Sequence, residues 1–349
     1  MSTSSIGKLL LSCVLTLGAL RLYPDIRFIS VYATFLGLAP FYFMKRKQAS
    51  ASADPYGSFH LRLNGGKKGA LPKTEWLNMG YWKDTSSFPE ACETLAMRLV
   101  RTSQMKPGAV VLDVGHGTGE SIINLLSNNA VPRPSHVTGI TSLLSHAQRT
   151  AERAKTLTVT TDVPSSSGSP SLKVTIVHGD AVYNPKLHDP TSAFGGVHPF
   201  SPLFPAQSFD TIFALDCAYH FRTRRAFLSQ AFDKLSVNGR IALADICFVD
   251  GQSNKIATLW AWMIGIPREN MINADEYETM LEDIGYVDVE VEDVTKDVFP
   301  GFLAFLRTQG VRWVIVAEIM EKVASSGARY VIVGARKGQS AEQELKRTR

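Results

Sequence analysis

Hydrophobic positions along the chain fall into two patterns. Residues 9–20 and 28–44 are apolar almost throughout, with a polar break at 21–27 that contains Pro24 and Asp25 and a basic stop at Lys45-Arg46-Lys47. Beyond residue 107 the apolar runs are shorter and end in glycine or polar turns. Residues 110–114, 137–141, 174–178, 208–215 and 235–244 read as buried strands, and 330–336 as a last, antiparallel strand. Residues 256–264, 274–284 and an apolar stretch from 298 to Met320 read as helices. Strands alternating with helices predict an α/β domain built on a parallel sheet. Residues 49–69, rich in Ala, Ser, Gly and Lys, have the composition of a linker. The organisation expected is therefore an apolar anchor at 1–47, a linker at 48–70, a folded domain at 71–337 and a polar tail at 338–349.

Each amino-terminal run is slightly short for a hydrocarbon layer of roughly 30 Å, which takes about 20 helical residues. A membrane hairpin would leave Lys8 and the Lys45 cluster on the cytoplasmic side and the Pro24-Asp25 turn across the bilayer. A single spanning or interfacial anchor is the second reading, and a pair of helices buried on the domain the third. Residues 28–44 leave no polar face for water, which favours the membrane, and the second run with its basic stop argues against a cleaved signal. The expectation is a membrane-attached protein, at the endoplasmic reticulum, with its folded domain in the cytosol.

Chemistry concentrates where the first buried strand ends. Val110-Val111-Leu112-Asp113-Val114 runs into Gly115-His116-Gly117-Thr118-Gly119-Glu120, after which a helix begins. Glycines at this spacing remove the Cβ atoms that would keep a ligand off the backbone, and the helix start offers unpaired N–H groups. This is a cradle for a nucleotide or nucleoside. Glycine spacing alone also suits dinucleotide enzymes, so the blocks downstream decide.

Those blocks fall in one order: Val137-Thr138-Gly139-Ile140-Thr141, then Val177-His178-Gly179-Asp180-Ala181, then Ser208-Phe209-Asp210 to Asp216, then Leu235-Ser236-Val237-Asn238-Gly239-Arg240-Ile241. From Pro107 to Lys337 the chain resembles the class I S-adenosylmethionine-dependent methyltransferases. Their motif LDVGxGxG stands at Leu112 to Gly119, and their L-x-P-G-G-x-L at 235–241 with Val237 and Asn238 in place of Pro and Gly. Trp76-Leu77-Asn78-Met79-Gly80-Tyr81-Trp82 resembles the N-x-G-Y-W segment of the members that act on tocopherols, sterols and macrolide or sugar hydroxyls.

The resemblance implies a Rossmann-like sheet of seven strands and S-adenosyl-L-methionine as cofactor. It implies cofactor contacts from Tyr81, Asp113, Gly115, Gly117, Gly119, Asp180, Ala181 and Asp216. Many members carry an acid after the second strand; this chain has Thr141, and with Ser145 and Gln148 it is similar to the pattern G-I-T-x-S-x-x-Q with two residues inserted near Ser142-Leu143. Thr141 and Gln148 are thus expected cofactor contacts. In Asp216-Cys217-Ala218-Tyr219-His220, His220 matches a general base of similar O-methyltransferases and Asp245 its acidic partner. The competing reading of His220 is a histidine that bonds backbone and only positions its neighbours. Tyr81 with Trp76 and Trp82 could equally cap the core.

Composition narrows the partners. Net charge is +5 with 20% charged residues and no long basic stripe, which argues against nucleic acid. Cys13, Cys92, Cys217 and Cys247 lie far apart without metal-type spacing, and His116, His178 and His188 read as turn residues, so no metal site is expected. Residues 183–207 alternate prolines with Phe194, Phe200, Leu203 and Phe204, either lining a greasy substrate entrance or stiffening a loop across the sheet edge. Residues 156–172 read as a flexible surface loop, and Trp260, Trp262 and Met263 as material for a lid. Three functions are compatible: O-methylation of a lipophilic secondary metabolite at a membrane, C- or N-methylation of a sterol, prenylquinone or phospholipid, or a membrane scaffold without catalysis. The sequence carries no sign of an oligomeric state.

Overall fold

Five parallel strands form the frame that the hydrophobic runs predict: β1 (Val110–Val114), β2 (His136–Thr141), β3 (Lys173–His178), β6 (Phe209–Leu215) and β7 (Leu235–Phe248). The computed structural model describes residues 60–65, 72–161, 172–187, 191–192 and 194–338. A two-stranded ribbon, β4 (Thr191–Ser192) and β5 (Gly196–Val197), lies outside the main sheet. β9 (Ala328–Lys337) pairs antiparallel with β7, and β8 (Tyr286–Asp293) antiparallel with β9, giving a seven-stranded sheet of order β3-β2-β1-β6-β7-β9-β8. Strand order reverses between β1 and β6. In open α/β sheets that reversal opens a crevice beyond the carboxyl ends of the strands, and ligands bind there.

Both faces of the sheet are covered. Val111, Ala242, Ala244 and Ile246 belong to one hydrophobic cluster, while Leu112, Val114, Ile241 and Leu243 belong to a second. Successive residues of one strand point to opposite faces, so the two clusters are the two sides of the sheet. Helix α1 (Phe88–Thr102) precedes β1, and α2 (Glu120–Ser127), α3 (Leu144–Thr161) and α4 (Arg224–Lys234) lie between successive parallel strands. A helical region follows β7, with α5 (Lys255–Met263), α6 (Ala274–Ile284), α7 (Thr295–Thr308) and α8 (Val311–Ser325). Phe305 of α7 stacks on Phe88 at 5.2 Å and meets the tilted ring of Trp82 at 5.3 Å, so α7 closes the face that carries the strap of residues 72–82.

β8 carries no signal in the sequence analysis. Its sequence, YVDVEVED, alternates apolar residues with acids, and its edge position leaves most of it exposed. Charges on an edge strand prevent further pairing, and here Asp288 and Glu292 bond Arg336 and Arg98. Asn238, found where the family motif has glycine, has φ of 64° and so takes the left-handed conformation that asparagine tolerates better than most residues.

Several expectations are corrected. Residues 183–207 pack on the domain: Phe200 is buried, Phe204 stacks on Phe209 at 5.4 Å, and Lys234 Nζ donates to the carbonyls of Ser201 at 2.9 Å and Phe204 at 2.5 Å. The stiffened loop is the reading that holds. Helix α3 continues to Thr161, into the stretch expected as a loop. Within the expected linker, Arg62–Asn64 form a 3-10 turn whose Asn64 is buried and bonds both the amide and the carbonyl of Trp76. The anchor runs at 9–20 and 28–44 lie outside the described residues, and so do the tail from 339 onward and His188. Among the described residues no helix is long and apolar enough to cross a membrane.

Candidate active site

A cavity of about 310 Å³ opens at the carboxyl ends of the parallel strands, at the strand-order reversal. Its floor is the turn from β1 into α2, contributing Gly115, His116 and Gly117. Thr141 and Ile140 come from β2, Asp180 and Ala181 from the turn after β3, and Asp216, Cys217 and Tyr219 to Arg222 from the segment after β6. Opposite them runs the strap, with Glu75, Trp76, Leu77 and Asn78.

The glycine turn is built for close approach. Gly117 has φ of 57°, and a Cβ there would stand 2.8 Å from Leu77 Cδ1 across the cavity. Gly119 serves packing instead: it is the N-cap of α2 with φ of 88°, and a Cβ would lie 2.4 Å from Thr150 of α3. It does not line the cavity, although the resemblance had placed it among the cofactor contacts.

Asp216 has φ of 59°, a strained conformation for a side-chain-bearing residue that turns its carboxylate back toward the strap. Oδ2 accepts from the Met79 amide at 2.6 Å and Oδ1 from the Tyr219 hydroxyl at 2.9 Å. Burial pushes its carboxyl up to about 6 against those bonds. Asp180 holds the turn after β3, its Oδ1 accepting from the Val182 amide at 3.0 Å.

His220 is half-buried on the cavity wall, its ring 4.3 Å from that of Tyr219. Nδ1 lies 3.2 Å from the Gly265 carbonyl oxygen. A carbonyl only accepts, so Nδ1 carries the proton and Nε2 is the basic nitrogen of the neutral ring. The group beside this ring nitrogen is thus a backbone carbonyl of the loop after α5, where the resemblance had placed Asp245. Asp245 is fully buried and directed elsewhere: Tyr277 donates to Oδ2 at 2.7 Å, Arg224 Nε lies 2.8 Å from the same oxygen, and the Ile246 amide donates to Oδ1.

Three further expected contacts lie off the cavity. Tyr81 donates to Asp297 at 3.0 Å, with the Arg98 guanidinium 4.6 Å over its ring, so it caps the core. Gln148 is exposed on α3, which begins at Leu144, and His146 of the same helix lines the cavity instead. Asp113 is buried beneath the turn, accepting from Ser121 Oγ at 2.5 Å, and burial raises its carboxyl to about 6. Trp260, Trp262 and Met263 do not line the cavity; the loop after their helix meets its wall only where the Gly265 carbonyl contacts His220.

His116 was read as a turn residue, yet it belongs to the wall. It is buried, its Nε2 has no hydrogen-bond partner among the described residues, and burial lowers its pKa to about 3, so the ring is neutral. Nothing in its spacing could have revealed this, because the contact comes from Thr150 and His146 on α3.

S-adenosylmethionine suits these walls. A Cβ at Gly115 or Gly117 would crowd Cys217 or Leu77 of the opposing lining, Ile140 and Ala181 offer apolar surface for a base, and Thr141, Asp180 and the start of α2 offer polar groups for ribose and amino-acid ends.

Comparison with known proteins agrees. A family model described as a methyltransferase domain matches residues 83–291. Erythromycin 3''-O-methyltransferase of Saccharopolyspora erythraea is 28% identical over 68% of this chain and 70% of its own length. The 27-O-demethylrifamycin SV methyltransferase of Amycolatopsis mediterranei is 27% identical over 68% of this chain and 76% of its own. Among solved structures, geranyl diphosphate C-methyltransferase from Streptomyces coelicolor superposes with a TM-score of 0.56 at 16% identity, covering 82% of this chain and 99% of that one. The [4+2]-cyclase SpnF superposes at 0.53 with 18% identity over 76% and 89%. These two likenesses are of fold. The family match spans more than half of the chain, and the chain belongs to the methyltransferase-domain family as an S-adenosylmethionine-dependent methyltransferase.

Proposed function

We propose that the protein methylates a hydroxyl of a lipophilic small molecule, a secondary metabolite, at a membrane surface. The observation that carries this reading is His220 at the cavity wall, with the Gly265 carbonyl fixing its tautomer. When bound, the cofactor supplies an electrophilic methyl on sulfonium. Residues of the glycine turn and the strap would hold it, Asp216 fixes the strap through Met79, and His220 Nε2 would take the proton of an acceptor hydroxyl as its oxygen gains the methyl and the C–S bond breaks to leave the thioether. That the relatives are named as O-methyltransferases of erythromycin and rifamycin compounds supports a hydroxyl acceptor of this class. The apolar runs at 9–20 and 28–44 support attachment to a membrane, with the catalytic domain on its cytosolic side at the endoplasmic reticulum.

Product chemistry tests the reading. The full chain, incubated with methyl-labelled donor and extracts of its source, should label an organic-soluble product whose label is released by ether or ester cleavage. Label that survives cleavage marks a C-methyltransferase of a sterol or prenylquinone. No transfer, with donor bound, marks a scaffold on the same fold.

A further inference from the structure

Four charged side chains meet where the strap crosses the glycine turn. Glu75 on the strap is 3% exposed, and Glu120, the first residue of α2, is 7% exposed. Arg149 and Arg153 stand one helical turn apart on α3, the same side that presents His146 to the cavity and Thr150 to Gly119. Arg149 Nε donates to both Glu75 oxygens at 3.2 Å, and its Nη2 bonds Oε1. Arg153 Nη2 bonds Glu120 Oε2, and its Nη1 lies 3.6 Å from Glu75 Oε2.

The backbone joins the same cluster. The Glu75 amide donates to Glu120 Oε2 at 2.7 Å, Thr118 Oγ1 donates to the Glu75 carbonyl at 2.7 Å, and Arg153 Nη1 donates to the Thr118 carbonyl at 2.9 Å. The next three strap residues, Trp76, Leu77 and Asn78, are the wall that faces the glycine turn across the cavity.

We infer that Glu75 is a positioning residue that latches the strap over the cofactor cavity, so that opening of its ion-pair cluster sets how fast the donor enters and the demethylated product leaves. The inference rests on the assignment of this cavity to S-adenosylmethionine. The strap's other ties divide into two kinds. Near Glu75, Asn64 of the 62–64 turn bonds Trp76, whereas the far end is held by the Met79 amide on Asp216, by Asn78 against Cys92 and by the Tyr81 and Trp82 amides on the Ala91 and Asp297 carbonyls, so the part free to swing is the Glu75 end. Glu75 alone on the strap offers a charge to the α2–α3 side. Neutralising Glu75 weakens its charge-assisted contacts to Arg149 and Arg153 together, which loosens this end of the strap more than losing any one of the neutral bonds.

Lid motions of this kind commonly govern turnover through product release. The test is to follow S-adenosylhomocysteine binding and release by stopped-flow tryptophan fluorescence on the full chain, comparing wild type with Glu75→Gln and the milder Arg149→Gln. Association and dissociation rate constants should both rise, by about tenfold in Glu75→Gln and less in Arg149→Gln, while Kd changes much less. Amide exchange of residues 72–79 should quicken in step with the rates, with the thermal midpoint of the Arg149 variant near that of wild type. Rates unchanged in a folded Arg149→Gln, or a Kd that weakens through slower association, would overturn the latch. Failure of the wild type to bind S-adenosylhomocysteine would overturn the cavity assignment and the latch with it.

Discussion

Two histidines on one cavity wall differ in what their surroundings ask of them. His220 has its tautomer fixed by a backbone carbonyl, so His220→Ala should lower turnover at neutral pH by roughly 10²-fold while donor affinity holds. The loss should ease as pH rises and a phenolic or enolic acceptor ionises by itself. Turnover near normal at neutral pH would remove the base and leave proximity to act alone. His116 is held neutral by burial, its pKa lowered from 6.5 to about 3. Between those values the unfolded chain binds the proton and the folded one does not, so this residue's contribution to stability is full above 6.5 and is lost as pH falls. Wild type should lose stability relative to His116→Gln by about 1.4 kcal/mol per pH unit across that window, measured by urea unfolding at several pH values. Asp113 and Asp216, raised by burial, act in the opposite sense in both proteins and cancel in the difference. Parallel curves for the two proteins would show that His116 titrates normally.

At the scale of elements, the network that joins β7, α4 and α6 is structural. Arg224 is fully buried, faces Asp245 at 2.8 Å, and also donates to the carbonyls of Asn270 and Ile246. Asp245→Asn leaves that cation uncompensated and should destabilise the domain by about 3–5 kcal/mol, seen as a lowered thermal midpoint. His220→Ala should leave the midpoint unchanged. A folded, stable Asp245→Asn with depressed turnover would return Asp245 to the imidazole. The strands carrying the cradle were legible because each is a continuous apolar run ending in glycine or an acid, a local pattern. Helix α6 was legible to the residue, with Asn273 forming a capping box with Glu276 and Gly285 closing its end. β8 was not legible, because an edge strand alternating with acids has no apolar run to read. The partners of Asp245, Tyr81 and Gln148 were not legible either. They depend on Arg224, Asp297 and the start of α3, residues set beside them by the fold rather than by spacing.

At the scale of the whole molecule, the catalytic domain follows an amino-terminal stretch whose residues are apolar for most of 9–44. No cofactor motif lies in that stretch, so removing residues 1–47 should release the enzyme into the soluble fraction with donor affinity intact, as read by flotation and by titration. A truncated protein that still floats with membranes at high salt would place the attachment elsewhere. The claim on which the rest depends is that the cavity between the glycine turn and the strap holds the methyl donor. Titration calorimetry of S-adenosylmethionine tests it directly, on wild type, Gly117→Ala and Gly117→Val, with a thermal melt of each to establish folding. Gly117 and Leu77 both line the cavity, and a Cβ at Gly117, 2.8 Å from Leu77 Cδ1, would push into that lining, a larger valine side chain more so. The account predicts binding at about micromolar Kd by wild type, weaker binding by Gly117→Ala and none by folded Gly117→Val. Wild-type affinity in the folded Gly117→Val variant, or no binding by wild type, would contradict it.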